Sequence, residues 1–357
     1  FWSAGLAMTA IYALALFVWF KRGGTHSPTP AIPAERSVLF FRCLLHYFRL
    51  LVFPAKLSLD YSPPLRLLVF QSPFWLAASG GLSLAILALR GAAAVRPLRF
   101  PSAWVALGLL PFLHLVPLPQ IAAERYLYLP LVGWSCLAAY GASKLAERLA
   151  ERRWAGRSLR FSLAALLAVL LLLARSNNLR WRDEMILWQG TLRISPDSPV
   201  ALNNLGWEYF RRGYASGAES YFSRALELAQ APNVRATACA NLAVVAISRQ
   251  RLEEALRRTE EAHREDPHSA RPYRLEGQIF LMKKSYGKAA AALSRALELA
   301  PYDSESYGLL GCLLAETGQT ARAKESFRRA LFLDPDNTAA RNNLRQVERA
   351  NPSEPGD

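Results

Sequence analysis

The sequence has little of the chemistry that marks a soluble enzyme. Its four cysteines, Cys43, Cys136, Cys239 and Cys312, are far apart, with no CxxC pair. That excludes a disulfide framework or a cysteine-based zinc site, and they read as small buried apolar side chains. The five histidines, His26, His46, His114, His263 and His268, form no HExxH or paired motif, so no metal ligand set is assigned and metal dependence stays open. Gly-Gly at 23–24 and 80–81 lacks the context of a nucleotide loop. Acidic residues are scarce in one half only. Residues 1–175 hold 18 Lys and Arg against 5 Asp and Glu, whereas 176–357 hold 25 against 23. Nearly all of the net charge of +15 therefore lies in the apolar half. A nucleic-acid-binding domain would place such charge on a soluble face, so nucleic acid is not expected as a partner. Basic loops on one side of a lipid bilayer fit instead.

Long apolar runs fill the first half. Residues 1–20 are uncharged and end at Lys21-Arg22, and further runs cover 73–89, 100–118, 126–143 and 161–174. Twenty helical residues span about 30 Å, the thickness of a bilayer core. The last run would span roughly 21 Å, with Arg160 and Arg175 snorkelling to the interfaces. Five runs in succession predict a polytopic membrane domain over 1–175. Residues 38–53 differ, because Arg42, His46 and Arg49 fall at i, i+4 and i+7 and form one polar stripe. Such a helix either lies in the interface or spans with its stripe facing a cavity. The basic loops 90–99 and 144–160 belong in the cytoplasm by the positive-inside rule. Loop 119–125 and everything after Arg175 are then non-cytoplasmic, in a periplasm, the exterior or an ER-like lumen. The chain opens at Phe1 inside an apolar run, so it reads as the C-terminal part of a longer protein.

From residue 176 the pattern becomes helical repeats of about 34 residues. Leu205-Gly206, Leu242-Ala243, Glu276-Gly277 and Leu310-Gly311 mark the first helices. Ala218, Ala255, Ala289 and Ala323 follow at a fixed offset, then Ala225, Ala262, Ala296 and Ala330. Pro267, Pro301 and Pro335 close three units, while the first has Gln230 there and a three-residue insertion. This is the tetratricopeptide pattern of paired antiparallel helices, in which small residues permit close contact and proline stops the second helix. The expected units are 199–235, 236–269, 270–303 and 304–337, with a leading helix at 178–193, a capping helix at 338–350 and a disordered tail at 351–357. The fold class is thus all-α: a polytopic membrane domain, 1–175, then a repeat solenoid, 176–350. Such stacks bind extended peptides in a concave groove. Asn204 and Asn241 share one position in the first helices and are candidate ligands for a peptide backbone, Asn having both donor and acceptor. Leu275 and Leu309 interrupt the series, and solvated surface Asn is the other reading.

Two polar islands stand out in the membrane half. Lys56–Pro64 contains Asp60, a candidate acceptor-side or structural residue. The other is Glu124-Arg125-Tyr126, at the non-cytoplasmic entrance of a span. Arginine suits a lipid-linked phosphate because its guanidinium donates in a fixed fork. An Arg-Glu interfacial anchor with a Tyr belt fits as well.

Residues 29–63, 122–134 (AAERYLYLPLVGW) and 177–210 resemble stretches of the transmembrane and tetratricopeptide-repeat-containing protein O-mannosyltransferases and their bacterial relatives, which are C-type glycosyltransferases. The Glu-Arg-x-x-Tyr-x-Pro element in the middle stretch is the most specific. The resemblance implies sugar transfer from a polyprenyl-phosphate donor to a protein hydroxyl, with the polypeptide acceptor held by the repeats. It places Glu124, Arg125 and Tyr126 at the donor phosphate, with Arg42, His46 and Arg49 as weaker candidates for the same group. The family's catalytic acidic residues would lie upstream of Phe1, leaving this piece inactive alone. Pro30-Ala-Ile-Pro-Ala34 replaces an Asp-Asn-Pro-Ala-like element. The alternative is a non-enzymatic membrane-anchored scaffold for protein–protein interaction, which would need only one span. A transporter is disfavoured, since no internal symmetry or paired intramembrane charge is visible.

Overall fold

The computed structural model describes residues 43–51, 95–109, 112, 123–149 and 153–350. Every regular element among these residues is helical. The chain divides into two units, Phe1–Ala201 and Leu202–Asp357. The runs 1–20 and 73–89 and the tail 351–357 lie outside the described residues, as do Arg42 and Asp60.

In the first unit, α1 is described over 43–51 and α2 spans Arg96–Leu109. A 3-10 turn at Glu124–Leu127 leads into α3, Tyr128–Leu149. Two glycines let α2 and α3 pack backbone to backbone. A Cβ on Gly133 would stand 2.6 Å from the Pro101 carbonyl oxygen, and one on Gly108 would stand 3.2 Å from Pro130 Cγ. The pair is pinned by Trp104, whose Nε1 donates to the Leu129 carbonyl at 2.8 Å. Of the expected run 100–118, residues 100–109 lie in α2, and 110, 111 and 113–118 fall outside the described residues.

The expected run 161–174 lies inside a longer helix, α4, Arg153–Arg180. Over Gly156–Arg180 its most apolar window has a mean hydropathy of 1.9, and none of that window is buried. Among the described residues it is the one helix long and apolar enough to cross a membrane. Its 25 residues extend about 37 Å, with Arg160 and Arg175 still bracketing the uncharged run 161–174. The chain then turns at Trp181-Arg182 into α5, Glu184–Ile194. Asp183 Oδ1 caps α5, accepting from the amides of Met185 at 2.7 Å and Ile186 at 3.4 Å. The leading helix therefore starts at 184 and not at 178, because Asn178–Arg180 continue α4.

The second unit holds the repeats. Their helix pairs are α6 (Pro199–Arg211) with α7 (Ala215–Leu228), α8 (Pro232–Ser248) with α9 (Leu252–Glu265), α10 (Ala270–Met282) with α11 (Tyr286–Leu299), and α12 (Ser304–Glu316) with α13 (Thr320–Leu333); α14 (Thr338–Ala350) follows. All eight alanines of the expected pattern are fully buried. The anchoring glycines leave no room for a methyl: a Cβ on Gly206 would meet Phe222 Cε1 at 2.7 Å, and one on Gly277 would meet Leu293 Cδ2 at 2.6 Å. Phe222, Leu293 and Phe327 are fully buried, each contributing about 1.5–3 kcal/mol. Helices α9, α11 and α13 end just before Pro267, Pro301 and Pro335, since the residue ahead of a proline avoids helical geometry.

The first repeat ends differently. The insertion that follows it is absorbed as an extra turn at the start of α8, with Pro232 at a position where its missing amide costs nothing. The second repeat's first helix thus begins at 232, four residues ahead of the expected boundary. At the other end α14 lays Ala340, Leu344 and Val347 against Phe327 and Ala330, closing the core as a cap.

Candidate functional site

In the first unit the fold joins two stretches that are far apart in sequence. Helix α1 packs through Cys43, Tyr47, Leu50 and Leu51 against Leu109, Phe112 and Leu127. Tyr47 is fully buried, and its hydroxyl oxygen accepts from the Ala123 amide at 3.4 Å, directly ahead of the Glu124–Leu127 turn. Tyr126 stacks on Phe112, with ring centroids 4.3 Å apart and planes 7° from parallel. The Arg125 guanidinium carbon lies 5.5 Å from the Tyr126 ring centroid, within cation–π range. The turn thus presents a half-buried Glu124, an exposed Arg125 and a half-buried Tyr126 on a packed floor. On α1, His46 is half-buried and edge-on to Tyr47 at 5.7 Å, while Arg49 is exposed. His46 and Arg49, the described members of the stripe read from the sequence, flank the packed face of α1.

The second unit carries a polar chain across its first helices. Asn241 on α8 is buried, and its Nδ2 donates to Asn203 Oδ1 on α6 at 3.2 Å. Its Oδ1 accepts from Arg271 Nη2 on α10 at 2.7 Å. Arg271 also lies 5.9 Å from the Trp207 ring centroid, and Trp207 stacks on Phe210 at 5.6 Å. Burial, and then repulsion from Arg274, pushes the Arg271 guanidinium below the usual arginine range. Arg274 is neutralised differently: it reaches both carboxylate oxygens of Asp303 at 2.9 Å and Glu305 Oε2 at 2.9 Å. Farther along, Asn343 Nδ2 lies 3.2 Å from Cys312 Sγ.

Asn241 is therefore not a solvated surface residue, and it pairs with Asn203 where Asn204 shares its repeat position. Asn204 itself is half-buried on α6. Sequence reasoning missed Asn203, Trp207 and Arg271. The signal available was their location in first helices, but their partners stand about one repeat away. Among the described residues no three His, Cys, Asp or Glu side chains gather as a metal site.

Two segments, 200–231 and 304–337, match the tetratricopeptide repeat family. Curated relatives include several protein O-mannosyl-transferases. The chain is 33% identical to Tmtc3 of Drosophila melanogaster over 129 residues, covering 35% of this chain and 13% of that protein. It is 30% identical to TMTC1 of Mus musculus over 186 residues, covering 42% and 20%. Identity to mouse TMTC3 is 25% over 348 residues, covering 91% and 36%. The chain thus spans only a minor part of these relatives. Solved structures similar to it include pilF of Pseudomonas aeruginosa, at 26% identity and a TM-score of 0.38, covering 43% of this chain and 69% of that one. Another is TTC0263, a tetratricopeptide protein of Thermus thermophilus, at 23% and 0.39, covering 46% and 88%.

Proposed function

We propose that this chain is part of a membrane glycosyltransferase whose repeats hold the polypeptide that receives the sugar. The observation that carries this reading is the joint match: the similarity to mouse TMTC3 runs over 91% of the chain, more than the repeats occupy, so it includes the apolar half. The donor is a polyprenyl-phosphate sugar, and transfer takes place on the non-cytoplasmic side, where the repeats also lie. The first half is polytopic, with α4 as its last span.

In this reading Arg125 contacts the donor phosphate through its forked donors, Glu124 orients it, and Tyr126 supports it through the Phe112 stack. His46 and Arg49, and with them Arg42, are weaker candidates for the same lipid phosphate, and Asp60 acts on the acceptor side or structurally. The repeats offer the polypeptide Asn204, Arg271 and Trp207, with the buried Asn241 holding Arg271 in place. The carboxylate that takes the acceptor's proton is not assigned to a residue of this chain.

The test is transfer of labelled mannose from dolichyl-phosphate mannose into protein, in membranes containing the full-length protein. Arg125→Ala should raise the donor concentration needed for half-maximal transfer at least about tenfold, the loss of one charge-assisted contact. Unchanged transfer at low donor concentration would remove Arg125 from the site.

A further inference from the structure

The α4–α5 corner holds a cleft of about 460 Å³ lined by Arg180, Ile186, Gln189, Gly190, Arg193 and Ile194. Its α5 face recurs at i, i+3, i+4, i+7 and i+8, so one side of that helix builds the wall. At Gly190 the cleft has open space, since a Cβ there would meet nothing within 4 Å. Among the described residues no ion pair uses Arg180 or Arg193. The acidic residue nearest Arg180 in sequence, Asp183, is engaged as the α5 cap, and Glu184 and Asp197, each four residues from one of the two arginines, form no ion pair with them. Around the same corner Leu179, Trp181 and Ile186 are 44%, 63% and 52% exposed. An exposed apolar and indole rim beside free guanidiniums is the composition of a membrane interface.

Depth agrees with composition. Arg180 lies six residues beyond the apolar run ending at Ala174, which is about 9 Å along the helix. The 14-residue apolar run covers about 21 Å of a core about 30 Å thick, so a centred run leaves the core edge about 4–5 Å past Ala174 and Arg180 about 4–5 Å into a headgroup layer roughly 5–8 Å thick. The cleft therefore falls at headgroup level when α4 spans the bilayer. We propose that it holds one phosphate-bearing anionic lipid headgroup, with Arg180 and Arg193 on the phosphate, Gln189 on its polar substituent, and Ile186 and Ile194 against the upper acyl chains. This rests on α4 being a membrane span, as read above.

The experiment uses the whole chain in detergent micelles, supplied with dioleoyl phosphatidylglycerol, and counts retained lipids by native mass spectrometry. The variants are R180Q/R193Q, which removes both cations; G190F, which fills the cleft and keeps them; and R175Q/R182Q, which removes equal charge outside it. Far-UV circular dichroism checks that each keeps its helicity. Wild type and R175Q/R182Q should retain one lipid more than the other two, whose affinity should fall on the order of tenfold. Equal retention in all four overturns the proposal, as does equal loss in R175Q/R182Q, which would mean diffuse attraction. Displacement by millimolar inorganic phosphate would make the ligand a soluble anion and also overturn it. Release of the wild-type chain from membranes by carbonate washing would instead refute the span itself.

Discussion

Gly311 on α12 and Phe327 on α13 lie so close that a Cβ on the glycine would stand 2.6 Å from both Cδ1 and Cε1 of the ring. Phe327 is fully buried, so the ring has nowhere to retreat. Gly311→Ala should cost about 1–3 kcal/mol by overpacking. The second repeat has Ala243 at this position and the smaller Thr259 where the others carry Phe or Leu. Combining Gly311→Ala with Phe327→Thr should therefore cost less than the sum of the single changes, by at least about 0.5 kcal/mol. Denaturant melts of the four proteins measure the coupling, and strict additivity would show that the two residues do not compete for space.

Four turns between first and second helices occupy one register. Gly213 and Gly318 adopt φ of 85° and 76° there, but Gln250 and Lys284 hold φ of 60° and 55°. A side chain in the left-handed region costs roughly 1–2 kcal/mol, which glycine avoids. Gln250→Gly and Lys284→Gly should each raise the Tm, by about 1 kcal/mol of added stability, while Gly318→Gln should lower it. A drop in Tm for both glycine substitutions would contradict the turn geometry.

Asn241 satisfies a buried cation on one side and a buried amide on the other. Asn241→Ala leaves both without that partner and should cost about 1–3 kcal/mol. Arg271→Met keeps much of the side chain's apolar volume, and adding it to Asn241→Ala should recover part of that loss. Thermal melts of the single and double variants decide this, and a neutral Asn241→Ala would mean that water replaces the amide at no cost.

Burial, with Glu261 Oε2 3.8 Å from the sulfur, raises the Cys239 thiol to about 11. The folded form holds this proton more tightly than the unfolded form. The contribution is therefore fully present below the ordinary thiol range and is lost as pH rises towards 11. Stability should fall over that alkaline window, and Cys239→Ala should flatten that part of the profile. Iodoacetamide should modify Cys239 far more slowly in the folded chain than in the chain unfolded by urea at pH 8. Equal rates would show that the thiol is accessible and its proton is not held.

Much of the second unit can be read from residues alone. Ala218, Ala225 and their counterparts sit where two helix backbones approach, and only small side chains fit there. Pro267, Pro301 and Pro335 mark helix ends because proline's effect on the chain before it is local. The boundaries at 178 and 236 move for equally local reasons: Asp183 captures amides that spacing does not register, and Pro232 opens a helix as readily as it ends one. At the candidate site, Glu124, Arg125 and Tyr126 are visible as polar residues in an apolar context. Their floor of Tyr47 and Phe112 is not, since it joins segments 76 residues apart.

Residue type at helical spacing suffices for the repeat register, the closing helix and the apolar character of α4. Packing in three dimensions sets what spacing leaves open: Asn241 is buried between Asn203 and Arg271, Gln250 and Lys284 take left-handed backbone, and Arg180 and Arg193 line one cleft. The difference is one of range. Periodicity fixes which side of a helix faces inward. Which polar atoms meet depends on how successive helices stack, and one residue of offset between neighbouring repeats joins Asn241 to Asn203 in place of Asn204.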